Sequence, residues 1–66
     1  MKWKSAEFLA PGDQVVMREL GSCRVLKVMD AADGDIVVVL VKPSGEQAVL
    51  KFAPWEQVLM QREIVL

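Results

Sequence analysis

The run Lys2-Trp3-Lys4 places an aromatic ring between two cations. Such a ring can stack on a nucleobase while the ammonium groups meet its phosphates. Arg24 and Lys27 on a nearby strand would extend that patch. These residues also have a plainer use. Trp3 can pack over a core as a short leading strand, and cations on an exposed strand keep its edge soluble. The overall charge argues against a dedicated duplex binder. Eight basic and nine acidic side chains give a formal net charge of −1, whereas duplex binders are usually basic.

Catalytic chemistry finds few residues to use. The chain has no His and a single cysteine, Cys23. A thiol becomes a nucleophile only beside a base or cation that lowers its pKa, so Cys23 reads as a small core residue. One cysteine cannot form an intrachain disulfide, and the Cys and His sets of the common zinc sites are missing. Asp30, Asp33 and Asp35 gather three carboxylates. Their spacing departs from the calcium-loop pattern, which needs acidic residues at alternate positions and a closing Glu. They read as a solvated turn. Catalytic residues, cofactors and metals are therefore not expected. The one enzymatic route left is a pore formed by a symmetric oligomer.

What must position these residues is a single domain. Sixty-six residues lie near the lower size limit for folding alone. Chains this small usually add disulfides, a metal or oligomerisation to a core worth roughly 3–5 kcal/mol. With the first two removed, oligomerisation is left. Hydrophobic residues make up 53% of the chain, more than so small an interior can hide, so apolar surface remains for a partner. The start MKWKSAEFLAPGD has no apolar run of signal-peptide length, and no segment approaches a membrane span. The expected location is the cytoplasm.

Turn residues divide the chain regularly: Pro11-Gly12-Asp13, Gly21-Ser22, Asp33-Gly34-Asp35, Pro43-Ser44-Gly45 and Ala53-Pro54. The Val- and Leu-rich pieces between them predict strands at 14–19, 23–29, 35–42, 46–52 and 59–65. The fourth alternates, with Ala48, Leu50 and Phe52 opposing Gln47, Val49 and Lys51, as a half-buried antiparallel strand does. The third does not. Ile36, Val38 and Leu40 oppose Val37, Val39 and Val41, so both faces are apolar. Asp33-Gly34 and Pro43-Ser44-Gly45 predict hairpin turns on either side. Pro54–Val58 reads as a short 3-10 turn before the last strand. There Trp55 either plugs the end of the fold or, if exposed, acts as an interface anchor. Met17, Met29 and Met60 either fill core gaps or form an adaptable binding face.

The opening Phe8-x-x-Pro11-Gly12-Asp13-x-Val15 and the following Gly21-x-Cys23-x-Val25-x-x-Val28 resemble a small bacterial SH3-like barrel. The likeness covers about residues 8–61. It implies an all-β, five-stranded antiparallel barrel over residues 11–66, preceded by a leading segment, 1–10. Polymerase-gripping transcription-factor barrels, tudor-like domains beside helicases and type II dihydrofolate reductases share that entrance, so it implies an architecture rather than a function. The reductase lines its pore with Val-Gln-Ile-Tyr, where this chain has Val49-Leu50-Lys51-Phe52, lacking the amide and phenol that bind its ligands. The aromatic cage of tudor readers needs clustered rings, and Tyr is absent here.

The sequence thus favours a non-catalytic, homo-oligomerising interaction module, most simply a dimer. Its expected interface is Val37, Val39 and Val41, or the apolar tail Ile64, Val65 and Leu66. The alternative is a nucleic-acid-associated barrel, accessory to transcription or helicase machinery, contacting its ligand through Lys2, Trp3, Lys4, Arg24, Lys27 and Trp55.

Overall fold

A computed structural model describes residues 2–61. It is all-β, a single antiparallel sheet of six strands: β1 (Lys2–Ser5), β2 (Gln14–Met17), β3 (Gly21–Asp30), β4 (Ile36–Val41), β5 (Gln47–Phe52) and β6 (Gln57–Met60). The spatial order is β1-β6-β2-β3-β4-β5. β2 to β5 form a meander, and β6 returns to lie between β2 and β1. Among the described residues the only helical element is the single 3-10 turn Ala6–Phe8.

Two features depart from the sequence expectation. The sheet is not a closed five-stranded barrel, because the leading segment supplies a sixth strand and, among the described residues, β5 pairs only with β4. The 3-10 turn also lies after β1 rather than before the last strand. Pro54 and Trp55 instead sit in a tight turn closed by the Glu56 N–H on the Ala53 carbonyl (3.0 Å). The reason is β1. Its residues Ser5 and Lys4 pair with Gln57 and Val58, which draws positions expected in the turn into strand. β6 consequently starts at Gln57 and ends at Met60; the rest of the strand expected there lies outside the described residues.

The core lies on one face of the sheet. Val15, Cys23, Val25, Ile36, Val38, Leu40 and Val58 are buried there, with Ala6 and Leu9 from the leading segment. Burial along β4 alternates strictly, so Ile36, Val38 and Leu40 face the core and the intervening valines face away. β3 keeps to this face through a bulge between Val25 and Lys27. The extra residue, Leu26, lets both Val25 and Val28 turn inward.

Asp13 ties the leading segment to this core. Its carboxylate accepts from the Ala10 N–H and from Lys4 Nζ, each at 3.0 Å. Partial burial pushes the carboxyl up, but the Ala10 N–H and the Lys4 ammonium outweigh it and hold Asp13 below its ordinary value. A carboxyl depressed in the folded state stabilises the fold above its unfolded pKa, and the contribution disappears as pH falls through the folded value. Asp13→Asn should therefore cost on the order of 1 kcal/mol at neutral pH. It should also flatten the acid limb of stability below about pH 4. Urea melts at several pH values read both effects.

The β4–β5 hairpin depends on Gly45, whose φ is +91° and whose N–H donates to the Lys42 carbonyl (2.9 Å). A Cβ there would meet nothing within 4 Å, so the obstacle to substitution is backbone strain and not a clash. Gly45→Val should lower stability by about 1–3 kcal/mol, as a β-branched residue at positive φ does. A thermal melt checks it.

Candidate functional site: the outer face of β3 to β5

Directly opposite residues of an antiparallel pair share a face, so the register defines the surface opposite the core. Val37 lies between Met29 and Lys51, Val39 between Lys27 and Val49, and Val41 between Arg24 and Gln47. The three expected interface valines thus form one row along the middle strand. They are half-buried by these neighbours, while Val49 is 65% exposed, Leu26 42% and Met29 37%. Together they make an apolar band along β4 with Leu26 and Met29 beside it on β3 and Val49 on β5, interrupted by Arg24, Lys27, Gln47 and Lys51. β4 is an internal strand, so its backbone is fully paired; what remains open is its face. The expected contribution of Ile64, Val65 and Leu66 lies outside the described residues.

Charges border the band unevenly. Arg24 and Lys27 are exposed beside Val41 and Val39. At the other end Lys51 is held by Asp33, and Asp35 lies 3.8 Å from it. The hydrogen bond from Lys51 holds the Asp33 carboxyl below its ordinary value, and Asp33 in turn raises Lys51. Asp33 also accepts from the Asp35 N–H (3.1 Å), which folds the turn back on itself. Two of the three carboxylates expected in a solvated turn thus serve as counter-ions to a strand lysine. Among the described residues no cluster of three or more potential metal ligands forms.

The residues expected to touch nucleic acid do not assemble into one patch. Lys2, Trp3 and Lys4 lie on β1, three strand steps from Arg24 and Lys27 on β3, or roughly 14 Å. Successive side chains on a strand point to opposite faces, so Trp3 is separated from its flanking lysines. Lys4 is half-buried in its ion pair with Asp13. Trp3 itself is 56% exposed. Trp55 is 74% exposed, so it does not plug the end of the fold.

Where a barrel would close, two shallow grooves remain, of about 380 and 340 Å³. Phe52 and Met17 line both; Trp3 and Leu59 complete the first, and Leu20 and Leu50 the second. Met17 and Met60 pack against the core as gap fillers, whereas Met29 stands on the outer band.

Sequence reasoning did not place Leu26 or Val49 in the band. The three-residue step from Val25 to Val28 carried the signal for the bulge that exposes Leu26. Val49 was legible as outward-facing, but not as the neighbour of Val39. Comparison with protein families, curated proteins and solved structures finds no match, so no relative lends this chain a role.

Proposed function

We propose that this chain is a non-catalytic interaction module that forms a symmetric homo-oligomer, a second copy covering the outer face of β4. The observation that carries this reading is the band of Val37, Val39 and Val41 flanked by Leu26, Met29 and Val49. Fully burying an exposed Val or Leu contributes roughly 1.5 kcal/mol or more; Val37, Val39 and Val41 are already half-buried, so most of the gain on association would come from exposed Val49, Leu26 and Met29 beside them. Isologous packing suits such a face, since one patch serves both partners. The Pro11-Gly12-Asp13 entrance and the four-strand meander support an open variant of the SH3-like architecture. A lone unpaired cysteine supports a cytoplasmic setting, and no helix among the described residues is long and apolar enough to cross a membrane. Light scattering over a dilution series tests the reading: the mass should reach at least twice the 7.4 kDa of one chain.

The second reading, a nucleic-acid-associated domain, is favoured by exposed Trp3 sharing a groove with Arg18. Titration with a single-stranded oligonucleotide at two salt concentrations separates the two. Binding that weakens steeply with salt would support the nucleic-acid reading, and salt-insensitive self-association with no oligonucleotide binding would support the first.

A further inference from the structure

The sheet has two edges, and they differ. β1 is four residues long and carries Lys2 and Lys4, the short, charged form that discourages pairing. β5 is six residues long, runs in unbroken register with β4, and contains neither Pro nor a bulge. Its one charge, Lys51, is occupied by Asp33 and Asp35 and so guards the edge poorly. Among the described residues nothing pairs with the outer side of β5.

The two hairpins fix which backbone groups that edge presents. The Lys42 N–H donates to the Glu46 carbonyl, and the Ala31 N–H to the Asp35 carbonyl, both at 2.8 Å. In an antiparallel ladder, hydrogen-bonded and non-bonded pairs alternate. Counting from Lys42 and Glu46, the bonded pairs are Leu40 with Ala48, Val38 with Leu50, and Ile36 with Phe52. Counting from Ala31 and Asp35 gives the same phase, with Val37 and Val39 bonded to β3. Gln47, Val49 and Lys51 therefore direct their N–H and C=O groups away from the sheet.

We infer that the free edge of β5 pairs antiparallel with β5 of a second copy, Val49 opposite Val49 on the two-fold axis. Only this register uses all three outward residues of each chain, because Gln47 then faces Lys51 of the partner twice over. It sets no like charges opposite one another. On the core side Ala48 meets Leu50 of the partner; on the outer side the two Val49 residues join the apolar bands into one. The partner is a second copy because in this register every outward backbone group of one edge meets one of the other, over the same length and with no like charges opposed. This contact is separate from the stacking of outer faces proposed above, and either can exist without the other.

Two measurements test it. Amide exchange is followed by NMR at low and high protein concentration. The amides of Val49 and Lys51, which face solvent in a lone chain, should become protected as concentration rises, together with the increase in mass. Gln47→Pro, which leaves the apolar band unchanged, then removes an outward N–H while leaving the bonds between β4 and β5 intact, since a proline fits an edge strand on its solvent side. It should stay folded and weaken self-association at least tenfold. Unprotected Val49 and Lys51 amides in the assembled protein would overturn the inference, even if Val39→Lys dissociates it. Protection that is independent of concentration, with a monomeric mass, would also overturn it, since a segment of the same chain would then cover the edge.

Discussion

Leu40→Ala should abolish cooperative folding of this chain near room temperature. Leu40 is 1% exposed and is the largest fully buried side chain among the described residues. It stands on the middle strand of the region where β3, β4 and β5 meet the core. Truncating a buried Leu costs about 2–5 kcal/mol through lost transfer energy and the cavity left behind. A core in a domain this small rarely supplies more than roughly 3–5 kcal/mol, so the loss approaches the whole. The described residues form no long helix, and a single cysteine allows no intrachain disulfide, to hold a remnant together. Circular dichroism against temperature should show a broad, non-sigmoidal decline in place of a transition. A variant melting within a few degrees of the parent would mean that the core lies elsewhere.

Val39→Lys, one residue earlier on the same strand, should have the opposite profile: an intact subunit and a lost assembly. Val39 faces away from the core, so a lysine there can extend into water from a lone chain. Against a second copy it would bury an unpaired ammonium. Lys27 is its direct cross-strand neighbour in the same chain, so the subunit itself should lose no more than roughly 1 kcal/mol to like-charge repulsion. The expected penalty is about 3 kcal/mol, or roughly a hundredfold in Kd. Because subunit association stabilises by mass action, the parent should melt at higher temperature as concentration rises, and the variant should not. Sedimentation velocity paired with melts at two concentrations reads both consequences.

The contrast between residues 39 and 40 was visible in the sequence. A run of six aliphatic residues between two turn signals implied a strand with both faces apolar, and its alternation placed the two sets. The hairpin turns were equally legible, since Gly34 and Gly45 both take the positive φ that their turns require. A short leading strand at Lys2–Ser5 was legible as one reading of Lys2-Trp3-Lys4, but its edge pairing with β6 was not. Four residues with two lysines carry too little alternation to define a strand, and what makes them one is β6, which is distant in sequence. That same pairing displaced the 3-10 turn expected at Pro54–Val58. Cations at Lys2, Lys4, Arg24 and Lys27 looked contiguous only because strand order cannot be read from the sequence; β6 and β2 separate them. The Gly12-Asp13 entrance was recognisable as a pattern. Its physical task, a carboxylate gripping the Ala10 amide and Lys4, required the fold.

The most direct measurement is an isotope-filtered NOE experiment on a mixture of labelled and unlabelled chains at high micromolar concentration. It detects only contacts between different molecules. Covering of the β4 face by a second copy predicts intermolecular cross-peaks from the methyl groups of Val37, Val39 and Val41, and none from Val38 or Leu40, which face the core. Absence of cross-peaks from all three outward valines, with the mass of a single chain, would contradict the account.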